Sequence, residues 1–138
     1  MAVESIYEKR YTKYSRGDLT AVKLVDTLYQ GMSVTLGGVT ATSNAEHLGV
    51  LLEDGVGDDL RDIVSRDSST VYAKINEEQD ITIGMLLSVD ATGLFVEGTA
   101  GDLAVAMAIE DVSTGTDETA LIPVQLGRWL VPEPPPGP

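Results

Sequence analysis

The chain has 138 residues and no cysteine, which excludes disulfides and thiolate metal sites. Its net charge of −13 argues against a nucleic-acid partner, because phosphate binding needs clustered Lys and Arg. No apolar run approaches the roughly 18 residues of a membrane span, and the N-terminus lacks the order of a signal peptide. We therefore expect a soluble protein, made in the cytoplasm, with no membrane partner.

Residues 1–17 are predicted to form an N-terminal arm. Residues 1–23 carry a net charge of +2, which leaves −15 on the remainder, so a basic segment precedes an acidic body. Tyr and Arg are residues that interfaces favour, and we predict that the arm docks on a neighbouring subunit or lattice. A short amphipathic helix packed on the chain's own body is the alternative. The predicted arm contacts are Tyr7, Arg10, Tyr11, Tyr14 and Arg16.

The β domain is predicted to span residues 18–131 and to begin with a strand-like segment from Leu19 to Tyr29. A first repeat-like unit follows at about residues 31–64, with a turn at Gly37-Gly38. The segment from Asp58 to Val64 also has helical spacing, but we predict a strand there. The inward-facing residues of the opening segment are predicted to be Val22, Leu24 and Leu28.

A second repeat-like unit is predicted at about residues 84–126. Its strand Leu103–Asp111 alternates large and small apolar residues and matches Glu46–Asp54, 57 residues earlier. Upstream, Gly84–Val89 matches Gly31–Leu36, 53 residues earlier, and the different spacing is loop length. We predict two copies of one β-unit with both faces of the repeated strand covered. The expected fold class is all-β, a small barrel or sandwich.

The remaining elements lie around the second unit. A strand is predicted from Val71 to Ile75, and the last strand runs from Ala120 to Leu126. Pro123 cannot donate to a ladder, so we place that strand at an edge or a bulge. Trp129 follows the strand and joins the arm residues as a predicted interface residue. Residues 132–138 form a Pro-rich tail that we expect to adopt polyproline II structure.

We find no constellation for catalysis and predict that the chain is not an enzyme. Its only histidine, His47, lies on the small-residue face of the repeated strand, and its counterpart in the second unit is Ala104. The sequence contains no nucleophile motif with which His47 could act as a base. Paired acids can hydrolyse glycosides, but Glu53-Asp54 and Glu110-Asp111 recur by repeat and are more simply structural. We predict no catalytic residues and no cofactor.

A calcium site is the alternative for the acidic loop of the first unit. Its candidate ligands, whose spacing departs from the helix-loop-helix calcium pattern, are Asp54, Asp58, Asp59 and Asp62. We predict a solvated loop and no metal.

The segment from Asp80 to Gly93, followed by the strand from Ala104 to Asp111, resembles the capsid cement (head decoration) proteins of tailed bacteriophages. Those proteins show an I-x-x-G-x-x-V-x-x-D-x-x-G stretch followed by a G-V-A-x-E-D/A strand, and Ala106 stands where Gly might be expected. The resemblance covers about 45 residues clearly and the first unit loosely.

This resemblance implies a virion protein that binds the outer surface of an assembled capsid and stabilises the shell. It implies partners in the lattice of the major capsid protein and in further copies of itself, as a trimer or alternatively a dimer. The second reading of the sequence is a carbohydrate- or receptor-binding accessory module of a phage tail or fibre. Exposed aromatic clusters would favour that reading, and the sequence offers few outside the arm.

Overall fold

The computed structural model describes residues 19–133, and within that range it contains strands and loops without a helix. The predicted all-β fold is confirmed. No described segment could cross a membrane as a helix. The strands are β1 Leu19–Lys23, β2 Ser33–Val34, β3 Gly49–Leu51, β4 Leu60–Val64, β5 Thr70–Ile75, β6 Asp80–Ile81, β7 Leu86–Val89, β8 Phe95–Glu97, β9 Leu103–Ala108, β10 Val112–Ser113 and β11 Ala120–Leu130.

The second half of the chain closes into a five-stranded barrel in the order β11-β5-β8-β7-β9. Most pairs are antiparallel, and the parallel contact between β5 and β8 at Ile75 and Phe95 closes the ring. Because a barrel has no open edge, its backbone groups are paired all around and its inward residues form a core. That core includes Val71, Ala73, Ile75, Leu87, Phe95, Val105, Ala106, Ala108, Ile122, Val124 and Leu126.

The first half forms a smaller four-stranded sheet in the order β1-β4-β3-β2. Its side chains make a separate cluster of Val22, Leu24, Leu28, Val34, Leu51 and Ile63. Val50 and Val64 of this sheet belong to the core cluster of the barrel instead. The two halves are therefore joined by shared apolar packing as well as by the chain.

Equivalent hydrogen bonds recur in the two halves of the described chain, and we call β1 to β4 the first unit and β5 to β11 the second unit of the structure. In the first unit Gly31 N donates to Leu51 O at 2.9 Å, and in the second Gly84 N donates to Ala108 O at 2.8 Å. Both glycines have a φ of 88°, a value that favours Gly over residues with a side chain. The return bonds are also equivalent, from Leu51 N to Met32 O at 3.0 Å and from Ala108 N to Met85 O at 2.9 Å.

The correspondence extends beyond the stretches that match in sequence. In the first unit β1 pairs with β4 so that Lys23 lies opposite Leu60. In the second unit β5 pairs with β11 so that Lys74 lies opposite Leu121. The same Lys and Leu pair thus occupies the same place in both units.

The opening strand is shorter than predicted. β1 ends at Lys23, because Val25 N turns away to donate to Gly38 O at 3.0 Å. The inward residues of this segment, Val22, Leu24 and Leu28, are nevertheless buried as predicted. The strands predicted near residues 58–64 and 71–75 are present as β4 and β5.

The placement of Pro123 at an edge or bulge is wrong, since β11 pairs with β5 on one side and β9 on the other. Lys74 N points away from β11 towards Gly31 O, so Pro123 and Tyr72, two residues along, also form a non-hydrogen-bonded pair. The proline nitrogen therefore faces the β9 side, where Ile109 N donates to Pro123 O at 3.1 Å just beyond the last paired residues, Val124 and Ala108. The only bond that proline removes is the return bond from residue 123 to Ile109, at the end of the ladder.

The repeated strand β9 buries its small face more completely than its large face. Ala104, Ala106 and Ala108 are fully buried, whereas only Val105 is fully buried among the large residues. Met107 is half-buried and Ile109 is exposed. Both faces are thus covered only around Val105, because Leu103, Met107 and Ile109 on the large-residue face all keep exposed surface.

Candidate interaction surface

The interface residues predicted in the arm, Tyr7, Arg10, Tyr11, Tyr14 and Arg16, lie outside the described residues. The sixth, Trp129, lies near the end of β11 and is half-buried. A Cβ on Gly127 would lie 2.5 Å from the Trp129 ring, so the ring covers the backbone of its own strand. Gly127 is the residue type that allows the indole to lie this close.

An exposed apolar pair lies beside Trp129. Leu130 is opposite Leu103 of β9, and both side chains are largely exposed to solvent. Side chains alternate along a strand, so Arg128 shares the face of Leu130. We call Leu103, Arg128 and Leu130 the β9–β11 patch, and Trp129, opposite Ala104, lies on the other face of the strand.

A cavity of about 460 Å³ opens next to this patch. Among its lining residues Asn44 is held firmly, since its Nδ2 donates to Ser88 Oγ at 3.0 Å and its Oδ1 accepts from Val89 N at 2.7 Å. The cavity therefore has a fixed polar wall facing an apolar one. Its lining comprises Ser43, Asn44, Ala45, Asp102, Leu103, Val105 and Arg128.

The start of β1 is held beside the loop that follows β4. Thr20 Oγ1 and Ser65 Oγ are 2.8 Å apart. In that same loop Ser68 N donates to Leu126 O of β11 at 2.7 Å. The loop after β4 therefore links β1 of the first sheet to β11 of the barrel.

His47 is a packed contact between the two units. It is only 7% exposed, and its Nδ1 lies 2.6 Å from Ser33 Oγ in the first unit. Its ring meets Phe95 of the second unit edge-on, with centroids 6.1 Å apart. Burial, with a smaller effect from the positive charge of Arg128, lowers the pKa of His47 to about 4.

The acidic residues serve mainly as backbone acceptors. Asp59 Oδ2 accepts from Val56 N at 2.9 Å and lies 3.3 Å from Arg61 NH2. Asp54 Oδ1 accepts from Gln30 N, and Asp111 Oδ1 accepts from Ile83 N, both at 2.7 Å. Among residues 19–133, no group of three or more His, Asp or Glu is placed to hold a metal ion.

The sequence did not reveal the pairing of Leu103 with Leu130. The register of β11 against β9 shifts between Leu126 and Trp129, so counting along an unbroken strand misplaces the last residues. Gly127 in a strand interior was the available signal, because glycine at such a position often marks a bulge.

No family model and no curated protein matches this chain. Among solved structures, the fold is similar to that of the N base of the head fibre protein gp8.5 of bacteriophage phi29. The two share 15% sequence identity at a TM-score of 0.62, over 83% of this chain and 98% of the other. At this identity the comparison establishes the fold.

Proposed function

We propose that this chain is a structural protein of a phage virion that binds the outside of the capsid and stabilises the shell. The observation that carries the proposal is the shared fold with the base of a phage head fibre, which extends over 98% of that base. The partner is the lattice of the major capsid protein, and the chain acts as a homo-oligomer, as a trimer in the simplest case. Its location is the capsid exterior.

The β9–β11 patch supports the proposal as the surface that meets the shell. Arg128 is a residue type that interface centres favour, and the exposed side chains of Leu103 and Leu130 add apolar surface beside it. The Tyr-rich and Arg-rich arm of residues 1–17 adds the second predicted contact with the lattice. The net charge of −15 outside the first 23 residues suits the surface turned to solvent.

A binding role, and not catalysis, also fits the use that the molecule makes of its reactive residue types. His47 is buried against Ser33 and Phe95 at the contact between the units. Asp54 and Asp111 accept equivalent backbone hydrogen bonds. Each has a structural partner that accounts for its position.

The test mixes the purified chain with empty, expanded shells assembled from the major capsid protein of the same genome. We expect saturable co-sedimentation and a shell disruption temperature that rises with concentration, since a ligand of the intact form stabilises it by RT ln(1 + [L]/Kd). EDTA should change neither result. Shells that bind no protein, or that bind it to saturation and melt at an unchanged temperature, contradict binding and cementing respectively.

Variants of the patch locate the binding surface. Leu103→Glu and Leu130→Glu place a charge on exposed positions, so the fold should survive while shell affinity falls at least about tenfold. Leu36→Glu is the matched control, because Leu36 is 73% exposed and lies in the loop after β2. Equal affinity of all three variants would place the shell contact elsewhere.

The second candidate function is a carbohydrate- or receptor-binding module of a phage tail or fibre. The cavity beside the patch favours it, because the fixed amide of Asn44 and the charged groups of Asp102 and Arg128 lie among its lining residues next to Leu103. A glycan array distinguishes the candidates. Selective glycan binding that Asn44→Ala abolishes, with no shell binding, would support this function over cementing.

A further inference from the structure

The two units of one chain meet through an edge on each. Gly31 O, in the first unit, accepts from Lys74 N, in the second, at 2.9 Å. A Cβ on Gly31 would lie 2.5 Å from Leu121 Cδ2 and 2.7 Å from Lys74 N, so the contact is tight. The Lys74 ammonium group also lies 5.2 Å from the centre of the Tyr29 ring. We call the Gly31 side the receiving edge and the Lys74–Leu121 side the inserting edge.

The second unit carries a receiving edge of its own that no described residue covers. Gly84 is equivalent to Gly31 and has the same φ of 88°. No atom of residues 19–133 lies within 4 Å of a Cβ built on Gly84, and none of those residues donates a hydrogen bond to its carbonyl oxygen. Ile83, next to it, is 65% exposed.

The first unit carries the matching inserting edge. Lys23 and Leu60 form the pair equivalent to Lys74 and Leu121. Leu24 N donates to Asp59 O at 2.8 Å. Hydrogen-bonded and non-hydrogen-bonded pairs alternate along an antiparallel ladder, so Lys23 and Leu60 form a non-hydrogen-bonded pair and Lys23 N points away from β4. Lys74 N points away from β11 in the same manner before it reaches Gly31 O. Leu60 is 66% exposed, as an uncovered inserting residue should be.

We propose that the Gly84 edge of one copy receives the Lys23–Leu60 edge of a second copy, in a head-to-tail contact that repeats the junction between the units. A second copy is the occupant that fits, because residues 19–133 of each chain carry one uncovered edge of each kind. The backbone groups match as well, since Gly84 offers a carbonyl acceptor and Lys23 an N–H donor. This inference deepens the self-association in the proposed function and does not depend on shell binding.

Two substitutions distinguish this contact from the internal junction. Thr82 stands where the first unit has Tyr29, so Lys23 meets no aromatic ring and keeps Asp58, 3.8 Å away, as its ion partner. Ile83 stands where the first unit has Gln30, which adds apolar surface beside Leu60. The contact between copies thus lacks the cation–π pair of the contact within the chain, and Ile83 makes its surface beside Leu60 more apolar. Because it joins different surfaces, it makes a closed ring or an open filament.

The absence of native cysteine makes disulfide trapping a clean test. Full-length Leu60→Cys and Ile83→Cys proteins are mixed under mild oxidation and run on a non-reducing gel. We expect a disulfide dimer from the mixture, about tenfold more than from either variant alone, because the contact raises the effective concentration of the two thiols. Leu36→Cys mixed with Ile83→Cys is the matched control. Gly84 stays unchanged, because a Cβ there would press on the incoming Lys23 backbone as a Cβ on Gly31 would press on Lys74.

Each other outcome overturns the proposal. Mixtures that yield no more dimer than the Leu36 control mean that the edges do not meet. Dimer from Leu60→Cys alone, in equal amount, means that copies associate through a symmetric contact. Dimer that forms only after residues 1–16 are deleted means that the arm, and not a second copy, occupies the Gly84 edge.

Discussion

Asp54 and Asp111 occupy the same position in the two units and make the same hydrogen bond. Each Oδ1 accepts from a backbone N–H at 2.7 Å, Asp54 from Gln30 and Asp111 from Ile83. In both units the bond ties the segment after the repeated strand to the residue before the left-handed glycine. The recurring aspartate therefore has a structural role in each unit, as the acceptor of this backbone hydrogen bond.

Replacing either acid should lower stability by a similar amount. We expect Asp54→Ala and Asp111→Ala each to reduce the free energy of unfolding by about 1 kcal/mol, since a backbone donor loses its partner. Asp111→Asn should cost less, because its amide oxygen can still accept. Urea unfolding measures the differences, with exposed Asp26→Ala as the control. A loss from Asp26→Ala as large as from the other two would show that the loss of these backbone hydrogen bonds is not the cause.

The two left-handed glycines should respond differently to alanine. Both variants acquire the strain of a positive φ, about 1–2 kcal/mol. Gly31→Ala should lose about 1–3 kcal/mol more, because its Cβ would press on the Lys74 backbone, whereas Gly84→Ala meets open space. Urea unfolding at a concentration where the protein is monomeric measures this. Equal losses would mean that the junction relaxes around the added methyl group.

Charges placed on the repeated strands should unfold the chain. Val50 and Val105 are at most 1% exposed, and an unpaired buried carboxylate costs several kcal/mol against a total stability of about 5–15 kcal/mol. Val50→Asp and Val105→Asp are therefore expected to lose the cooperative melting transition in circular dichroism. Leu36→Asp, on an exposed position, should keep it. A native transition in both core variants would contradict the burial of these strands.

His47 should make the folded protein less stable as the solution is acidified. Its folded pKa of about 4 lies below the ordinary value of 6.5, so the unfolded chain binds a proton first. The contribution is complete above pH 6.5, and it falls by about 3 kcal/mol by the time the pH reaches about 4.

The histidine can be followed directly because it is the only one in the chain. Its ring resonances in NMR should titrate near pH 4 in the folded protein. The difference in unfolding free energy between the native chain and His47→Gln separates its effect from that of the carboxylates. A midpoint near 6.5 would show that the ring is open to solvent in solution.

Deleting residues 1–16 tests the arm. We expect the truncated chain to fold and to bind shells much more weakly, since buried Tyr and Arg anchors are worth about 2 kcal/mol or more each. Sedimentation with shells and the oligomer mass measure the result, and circular dichroism checks the fold. Unchanged binding and mass would reduce the arm to an exposed tail.

The repeat could be predicted from sequence because its chemistry recurs at fixed places. Gly31 and Gly84 both need a left-handed backbone, and Leu51 and Ala108 return to them through the same bonds. The equivalence of β1 in the first unit and β5 in the second could not be predicted. The residues that match between these two strands, such as Lys23 and Lys74, lie at positions where many side chains are acceptable. Lys23 and Lys74 become recognisable as equivalents only from the strand registers.

The errors came from non-local pairing. Pro123 lacks a hydrogen-bond donor on one side of its strand only. Whether a neighbouring strand needs that donor depends on where β9 ends, at Ala108, which is distant from Pro123 in sequence. The β9–β11 patch was missed because a bulge after Leu126 changes the residue that faces Leu103. The arm residues Tyr7, Arg10, Tyr11, Tyr14 and Arg16 remain predictions.

The central position of β11 fixes the order in which the chain can complete its fold during synthesis. The first unit has all its strands once Val64 has left the ribosome, whereas β5 and β9 both await β11, which begins at Ala120. Until then two strands of the nascent second unit have unsatisfied edges. Translation that stalls between residues 75 and 120 therefore releases a chain in which Val50 and Val64 of the first unit lack their barrel partners and the strands of the second unit have open edges.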